Sequence, residues 1–331
     1  MELDSSTVVV LTGASGGLGR EAAVQFAREG CRVVLAARRR ESLQQTAALC
    51  HEAGGQALVR VTDVSDEAQV EALAAATLEQ WGHIDVWVND AAVTLFALLE
   101  ERPFEEHRRV IETNLFGAIY GARAVLPVFR RQRRGVLVNV GSILSKVGQP
   151  AVPSYVISKF AVRGMSEALR MELADEPDIH VCTLLPYAID TPHFQSAANQ
   201  LGVKTFAMPP VQEPEKVARA LVDLVRKPRR EVHVPEIAAA GLALRWLLPE
   251  TCERLIAHAV WNWHLSPLPE ERTQGNLYQP GREAGSVHGD RPPRIGSVAF
   301  AAWAVGELVR MQAFSALDWA GRRLLRTSGP H

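Results

Sequence analysis

From Thr7 to about Pro235, short apolar runs alternate with segments whose apolar residues recur at helical spacing. Val8-Val9-Val10-Leu11 precedes a helical pattern from Gly17 to Glu29, and Val33-Val34-Leu35 precedes one near Glu41 to Ala53. Leu58-Val59-Arg60-Val61, a helix near Asp66 to Trp81, and Ile84-Asp85-Val86-Trp87-Val88 continue the series. Two longer helical patterns follow, separated by Val136-Leu137-Val138-Asn139-Val140. The series closes with Ile179 to Leu185, a helix near Pro214 to Val225, and Glu231-Val232-His233-Val234. Runs that are apolar on both faces predict strands covered on both sides, and the helices between them force parallel crossovers. Seven such strands predict an α/β chain with a doubly wound parallel sheet, which binds ligands at the carboxyl ends of its strands.

After about residue 235 the rhythm changes. Ile237 to Trp263 is apolar and helix-like, although Arg245, Pro249, Glu250 and Glu253 interrupt it. Ser266 to Gly296 is rich in Pro, Gly and charge and reads as an irregular or disordered connector. Ser297 to Leu325 is again helix-like, with Trp303 and Trp319 among aliphatics and a basic end at Arg322-Arg323. The chain is therefore expected to divide into a Rossmann-type domain over residues 1–235 and a mainly helical extension over 236–331.

A formal net charge of -1 over 331 residues gives no electrostatic reason to expect a nucleic-acid partner. Cys31, Cys50, Cys182 and Cys252 form no CxxC pair and read as reduced thiols, and the histidines show no metal-binding spacing, so no metal is expected. Met1 to Ser6 is acidic and polar, unlike a secretory leader, and no apolar stretch reaches the roughly 18 residues needed to cross a bilayer. A cytoplasmic location is expected. The extension leaves three readings open: packing over the core and active site, a subunit interface, or peripheral contact with a membrane surface through Trp303, Trp319, Arg322 and Arg323.

Directly after the first strand stands Thr12-Gly13-Ala14-Ser15-Gly16-Gly17-Leu18-Gly19, within which a helical pattern begins. A strand, a glycine-rich turn and a helix N-terminus make an anion site: backbone N–H groups and the helix dipole point at a pyrophosphate, and glycines let the backbone come close. Gly13, Ser15, Gly16, Gly17, Leu18 and Gly19 are the expected contacts. The second strand ends in Ala37-Arg38, where an acidic residue would favour NAD. A guanidinium there pairs with a 2′-phosphate, so NADP(H) is the expected cofactor and NAD(H) the weaker candidate. Asp63, after the third strand, is placed either to meet the adenine edge or to cap the next helix.

The catalytic candidates follow. Tyr155 and Lys159 stand at i and i+4 in a helical pattern and so share one face. A phenol near pKa 10 is a poor base at neutral pH, and a nearby ammonium stabilises its phenolate. Ser142, on the loop after the fifth strand, can donate a hydrogen bond to a substrate oxygen.

These motifs, in this order over about residues 5–235, resemble the short-chain dehydrogenase/reductases in their single-domain branch. The resemblance rests on the glycine turn, Asp63, Asn89-Asp90-Ala91-Ala92, Asn114, Ser142, Tyr155 with Lys159, and Pro186 to Thr191. It implies catalytic Ser142, Tyr155, Lys159 and Asn114, with Asn114 holding a water that links Lys159 to solvent and Lys159 binding the nicotinamide ribose. It implies cofactor contacts from Val64, Asn89, Ala91, Pro186, Ile189 and Thr191, the last holding the carboxamide, and a homo-oligomer. Two departures stand out: Asp90-Ala92 replaces the family's usual Asn and Gly, and Tyr187 follows Pro186 in place of Gly. Selectivity is expected in the loop from Tyr187 to Pro210, with His193, Phe194, Phe206 and Met208, and near Leu144, Val147 and Val152. Its apolar character suits a hydrophobic carbonyl or alcohol. An oxidoreductase is the leading reading, and a non-catalytic NADP-binding or scaffold protein is the alternative.

Overall fold

The computed structural model describes residues 1–100, 104–236, 245–281 and 285–311. Seven parallel strands form one sheet: β1 (Val8–Thr12), β2 (Arg32–Ala37), β3 (Gln56–Val61), β4 (Val86–Asn89), β5 (Gly135–Val140), β6 (Ile179–Pro186) and β7 (Glu231–Val234). Their spatial order is β7-β6-β5-β4-β1-β2-β3, so the order reverses between β1 and β4. Thr12 pairs with Ala36, Asn89 with Asn139, and Val140 with Leu184. The strand ends that carry the glycine turn, Asp90 and Ser142 therefore lie side by side.

Alternation along each strand feeds two cores. Val9 and Leu11 face one cluster with Val33 and Leu35, and Val10 faces the other with Val34 and Trp87. Helices α1 (Gly17–Arg28) and α2 (Arg40–Glu52) cover the first face, and α3 (Glu67–Trp81) covers the second. Asp66 caps α3 by accepting the Gln69 N–H at 3.3 Å, so the cap is Asp66 and not Asp63. Helix α4 (Phe104–Ile111) runs through a π turn at Glu112–Phe116 into α5 (Gly117–Gln132). Helix α6 (Pro153–Glu172) starts with Pro at its first position, and α7 (Pro214–Arg226) packs against α1.

The extension packs on the carboxyl ends of the sheet. Helix α8 (Pro249–Ala259) leads through a π turn at Val260–His264 into a strand at Leu265–Pro269, which pairs antiparallel with Val203–Thr205. A further helix covers 297–311. Of the two readings left open for the connector, its described residues take the first: they are irregular, and they are packed on the main domain. Leu277 is fully buried beside Val93, Leu95, Val110 and Ala198, and arginines of the main domain capture its backbone carbonyls. Trp319, Arg322 and Arg323 lie outside the described residues. Among the described residues no helix is long and apolar enough to cross a membrane.

Candidate active site

A cavity of about 640 Å³ opens along the carboxyl ends of the strands, within the size range of small-molecule sites. One end is floored by Gly13, Ser15, Gly16, Gly17 and Leu18, and Arg38, Asp63 and Val64 stand beside it. The middle holds Ala91, Ser142, Tyr155 and Lys159, with Pro186, Ile189 and Thr191 opposite. The far end is apolar, built from Leu144, Phe194 and Met208 together with Leu255, Ile256 and Trp303 of the extension.

The catalytic candidates converge. Tyr155 and Lys159 sit one turn apart on α6, and the Lys159 Nζ lies 5.5 Å from the centre of the Tyr155 ring. Lys159 donates to the Val140 carbonyl at 2.8 Å, which points it at the end of β5. The Ser142 hydroxyl oxygen accepts the Leu144 N–H at 3.1 Å and its hydroxyl is hydrogen-bonded to Tyr155. Burial pushes the Tyr155 phenol up to about 12, and Asp90 adds to this while Ser142 opposes it. The resting group is therefore a phenol, a proton donor.

Asn114 is held by the π turn and is 2% exposed. Its Oδ1 accepts the Val93 N–H at 2.8 Å, and its Nδ2 donates to the Val93 carbonyl and to Ser158 Oγ, at 3.0 and 3.1 Å. Ser158 is the neighbour of Lys159, so Asn114 ties the loop after β4 to the catalytic helix. A one-residue helical bulge of this kind commonly marks functional positions.

Asp90 faces Lys159. Burial raises the Asp90 carboxyl and lowers the Lys159 ammonium, and each opposes the other's shift by charge attraction. Asp90 also keeps its backbone N–H on Thr12 Oγ1 at 3.1 Å, beside that of Ala91 at 3.2 Å, so the substitution for Asn leaves this knot intact. Asn89 does not line the cavity. It accepts the Trp87 indole N–H at 2.8 Å and donates to Asn139 Oδ1 at 2.8 Å, and Asn139 reaches Ser166 of α6 at 2.9 Å. Its place is in a buried network that fixes α6 over β4 and β5.

Asp63 lines the cavity and pairs with Arg109 at 2.7 Å. Burial pushes its carboxyl up, but hydrogen bonds from Ser65 and the Arg109 charge hold it below the usual range. Arg38 lines the same end, and its guanidinium donates to the carbonyls of Asn276, Leu277 and Tyr278 at 2.5, 3.0 and 3.3 Å. Tyr187 lines the cavity beside Pro186.

His193 is brought to the reacting end, 5.9 Å from the Tyr155 ring centre, with its Nε2 2.7 Å from Thr94 Oγ1. Burial and the Lys159 charge lower its pKa to about 4, so it is a neutral hydrogen-bonding group and not an acid. His264, which the sequence reading missed, lines the apolar end with Nδ1 2.5 Å from the Phe206 carbonyl. Thr94, Arg109 and the backbone of residues 276–281, 285 and 286 were missed as well. None carries a local pattern, and each reaches the site through tertiary packing.

A family description, short chain dehydrogenase, matches residues 7–202. The chain belongs to the short-chain dehydrogenase family, a family of oxidoreductases. An uncharacterized oxidoreductase of Bacillus subtilis, YxnA, is 32% identical over 278 residues, covering 83% of this chain and 78% of the relative. Among solved structures, an alcohol dehydrogenase from the archaeon Thermococcus sibiricus, complexed with 5-hydroxy-NADP, is 30% identical with a TM-score of 0.61. The likeness covers 69% of this chain and 95% of that one. A short-chain dehydrogenase/reductase from Burkholderia phymatum, in complex with NAD, is 25% identical with a TM-score of 0.69, covering 76% and 96%.

Proposed function

We propose that the protein is an NADP(H)-preferring oxidoreductase that interconverts an apolar ketone or aldehyde and its alcohol, with Tyr155 as general acid and base. The observation that carries this reading is the Ser142–Tyr155–Lys159 group standing in the same cavity as the glycine turn, between a donor-rich end and an apolar end. The cavity fits a dinucleotide in its chemistry. The α1 N-terminus and its turn suit a pyrophosphate, and Asp63, Val64, Ala91, Pro186, Ile189 and Thr191 line the rest of the channel. When bound, the dinucleotide supplies or accepts the hydride.

The protein's own groups handle the proton. Ser142 donates to the substrate oxygen and holds it at Tyr155, which gives up its phenolic proton in reduction. The Lys159 charge stabilises the phenolate left behind. Rapid oxidation of NADPH with apolar ketones or aldehydes is the expected result. Tight dinucleotide binding without turnover across such a panel would overturn the reading.

Cofactor preference rests on Arg38. Neutral carbonyls hold its guanidinium in the structure, and a 2′-phosphate is the stronger acceptor. In Arg38→Ala the NADPH:NADH affinity ratio should fall roughly tenfold, the worth of one charge-assisted contact. A wild-type protein that binds NADH tenfold tighter than NADPH would rule this out.

Asp90 sets the pH range. Its charge raises the Tyr155 pKa and opposes the burial that lowers Lys159. Its removal therefore makes both the phenol and the ammonium lose their protons earlier. In Asp90→Asn the alkaline limb of the reduction pH profile should move to lower pH, by about one unit. An unmoved limb would separate Asp90 from the titration. Exposed Phe116, Ile157 and Phe160, on and around α5 and α6, support the homo-oligomer reading.

A further inference from the structure

The connector between the two parts of the extension crosses the donor-rich end of the cavity. Arg38 holds the carbonyls of residues 276 to 278, Arg39 donates to the Gly281 carbonyl at 2.6 Å, and Arg109 donates to the Leu277 carbonyl at 3.1 Å. Further along, the Gly17 N–H at the start of α1 donates to the Ser286 carbonyl at 2.9 Å. Gly285 lies so close to the glycine turn that a Cβ on it would overlap the Ser15 carbonyl oxygen. Beyond it, His288 stands between Asp190 and Glu215, at 3.2 and 2.9 Å. At the other end, residue 273 pairs with Asn199, backbone to backbone.

Two features show that this segment covers the cavity without filling it. Asn276, Pro280, Gly281, Gly285 and Ser286 line the same space as Gly13, Asp63, Val64 and Ala91, so room remains between them. Among the described residues, the N–H groups of Leu18 and Gly19 have no backbone acceptor, so the helix end keeps donors for an anion.

We propose that residues 273–281 and 285–289 form a strap that belongs to the dinucleotide site: it closes over the bound nucleotide and sets the rate at which the nucleotide leaves. The proposal rests on the dinucleotide reading above and adds a binding element outside the region of the family match, which ends at residue 202. Arg38 is shared between strap and ligand. Arg39, Arg109 and the buried Leu277 hold the strap independently of it. A ligand enclosed on its solvent side by a multiply anchored segment leaves only when that segment lifts, so strap stability appears in the dissociation rate.

The test preloads full-length protein with NADPH, chases with excess NADP⁺, and follows the loss of NADPH fluorescence. Two variants loosen the strap from different ends: Gly285→Val wedges it from the Ser15 carbonyl, and Leu277→Ala removes its buried anchor. Both should release NADPH at least about tenfold faster than wild type, with a matching rise in Kd and a retained cooperative melting transition. In wild type, NADPH should also slow proteolysis within the strap. Release rates within twofold of wild type in both variants would overturn the strap. Faster proteolysis with NADPH would overturn it too, by showing a segment that the nucleotide displaces. Failure of wild type to bind NADPH or NADH would instead overturn the dinucleotide reading, and the strap with it.

Discussion

Tyr155→Phe is expected to lower kcat for carbonyl reduction by about a thousandfold while leaving the NADPH dissociation constant within a few-fold of wild type. The ring itself packs against two buried clusters, one with Phe96, Val152 and Ala197 and one with Leu95 and Leu277, so the substitution keeps the apolar packing and removes only the hydroxyl. That hydroxyl is the group hydrogen-bonded to Ser142, with a pKa raised to about 12. At neutral pH it is almost wholly protonated, so it holds the proton that reduction needs. Ser142 can donate, but its conjugate base is too strong to form readily. His193, at a pKa of about 4, carries no proton to give at neutral pH beyond its neutral N–H. A thousandfold loss corresponds to about 4 kcal/mol of transition-state stabilisation, within the usual span of general-acid catalysis. Steady-state kinetics beside fluorescence titration of NADPH checks it. More than about a tenth of wild-type turnover in the variant would show that the proton comes from elsewhere.

The second large effect is expected at Gly19. A Cβ there would overlap the Gly13 carbonyl oxygen and lie 2.8 Å from its carbon and 2.9 Å from Asp90 Oδ2. The first two are backbone atoms and cannot swing aside, so the glycine turn would have to open and carry the α1 N-terminus with it. In Gly19→Val the dinucleotide Kd should rise about a hundredfold, the upper part of what overpacking costs elsewhere. The melting temperature should fall by several degrees, since the turn also rests on the end of β4. Titration calorimetry with NADPH and a thermal melt read the two effects separately. Wild-type affinity in a stably folded Gly19→Val would show that the turn does not hold the nucleotide.

The sheet was legible because its strands are apolar on both faces, and all seven runs from Val8 to Val234 became strands of one parallel sheet. The clustering of the catalytic candidates was legible for a different reason: Tyr155 and Lys159 are joined by helical spacing, and the glycine turn by chain adjacency. What the sequence hid depends on contacts between distant positions. Asn89, at the end of β4, is a cofactor contact by resemblance alone. Only the register of Asn89 opposite Asn139 shows that it belongs to the Trp87–Asn89–Asn139–Ser166 network. Asp63 looks like a helix cap until Asp66 is seen in that position and Arg109 is seen to hold Asp63 across 46 residues. The connector was left as irregular or disordered because Pro, Gly and charge describe disordered chains and closely packed coil alike. Among its described residues Leu277 is the buried apolar anchor that distinguishes them, and one leucine makes no pattern.

Leu255, Ile256 and Trp303 at the apolar end of the cavity come from after residue 245, whereas the groups proposed to move the proton lie between 114 and 159. On the proposed reading, chemistry and part of the recognition are thus written in separate stretches of the chain, although Leu144, which stands beside Ser142, belongs to both. Variation in α8 or in the helix over 297–311 can remodel which molecules are admitted without disturbing a single atom of the glycine turn or of α6. On that reading α8 and the helix over 297–311 can diverge between relatives and change what is reduced, with the proton-handling group inherited intact.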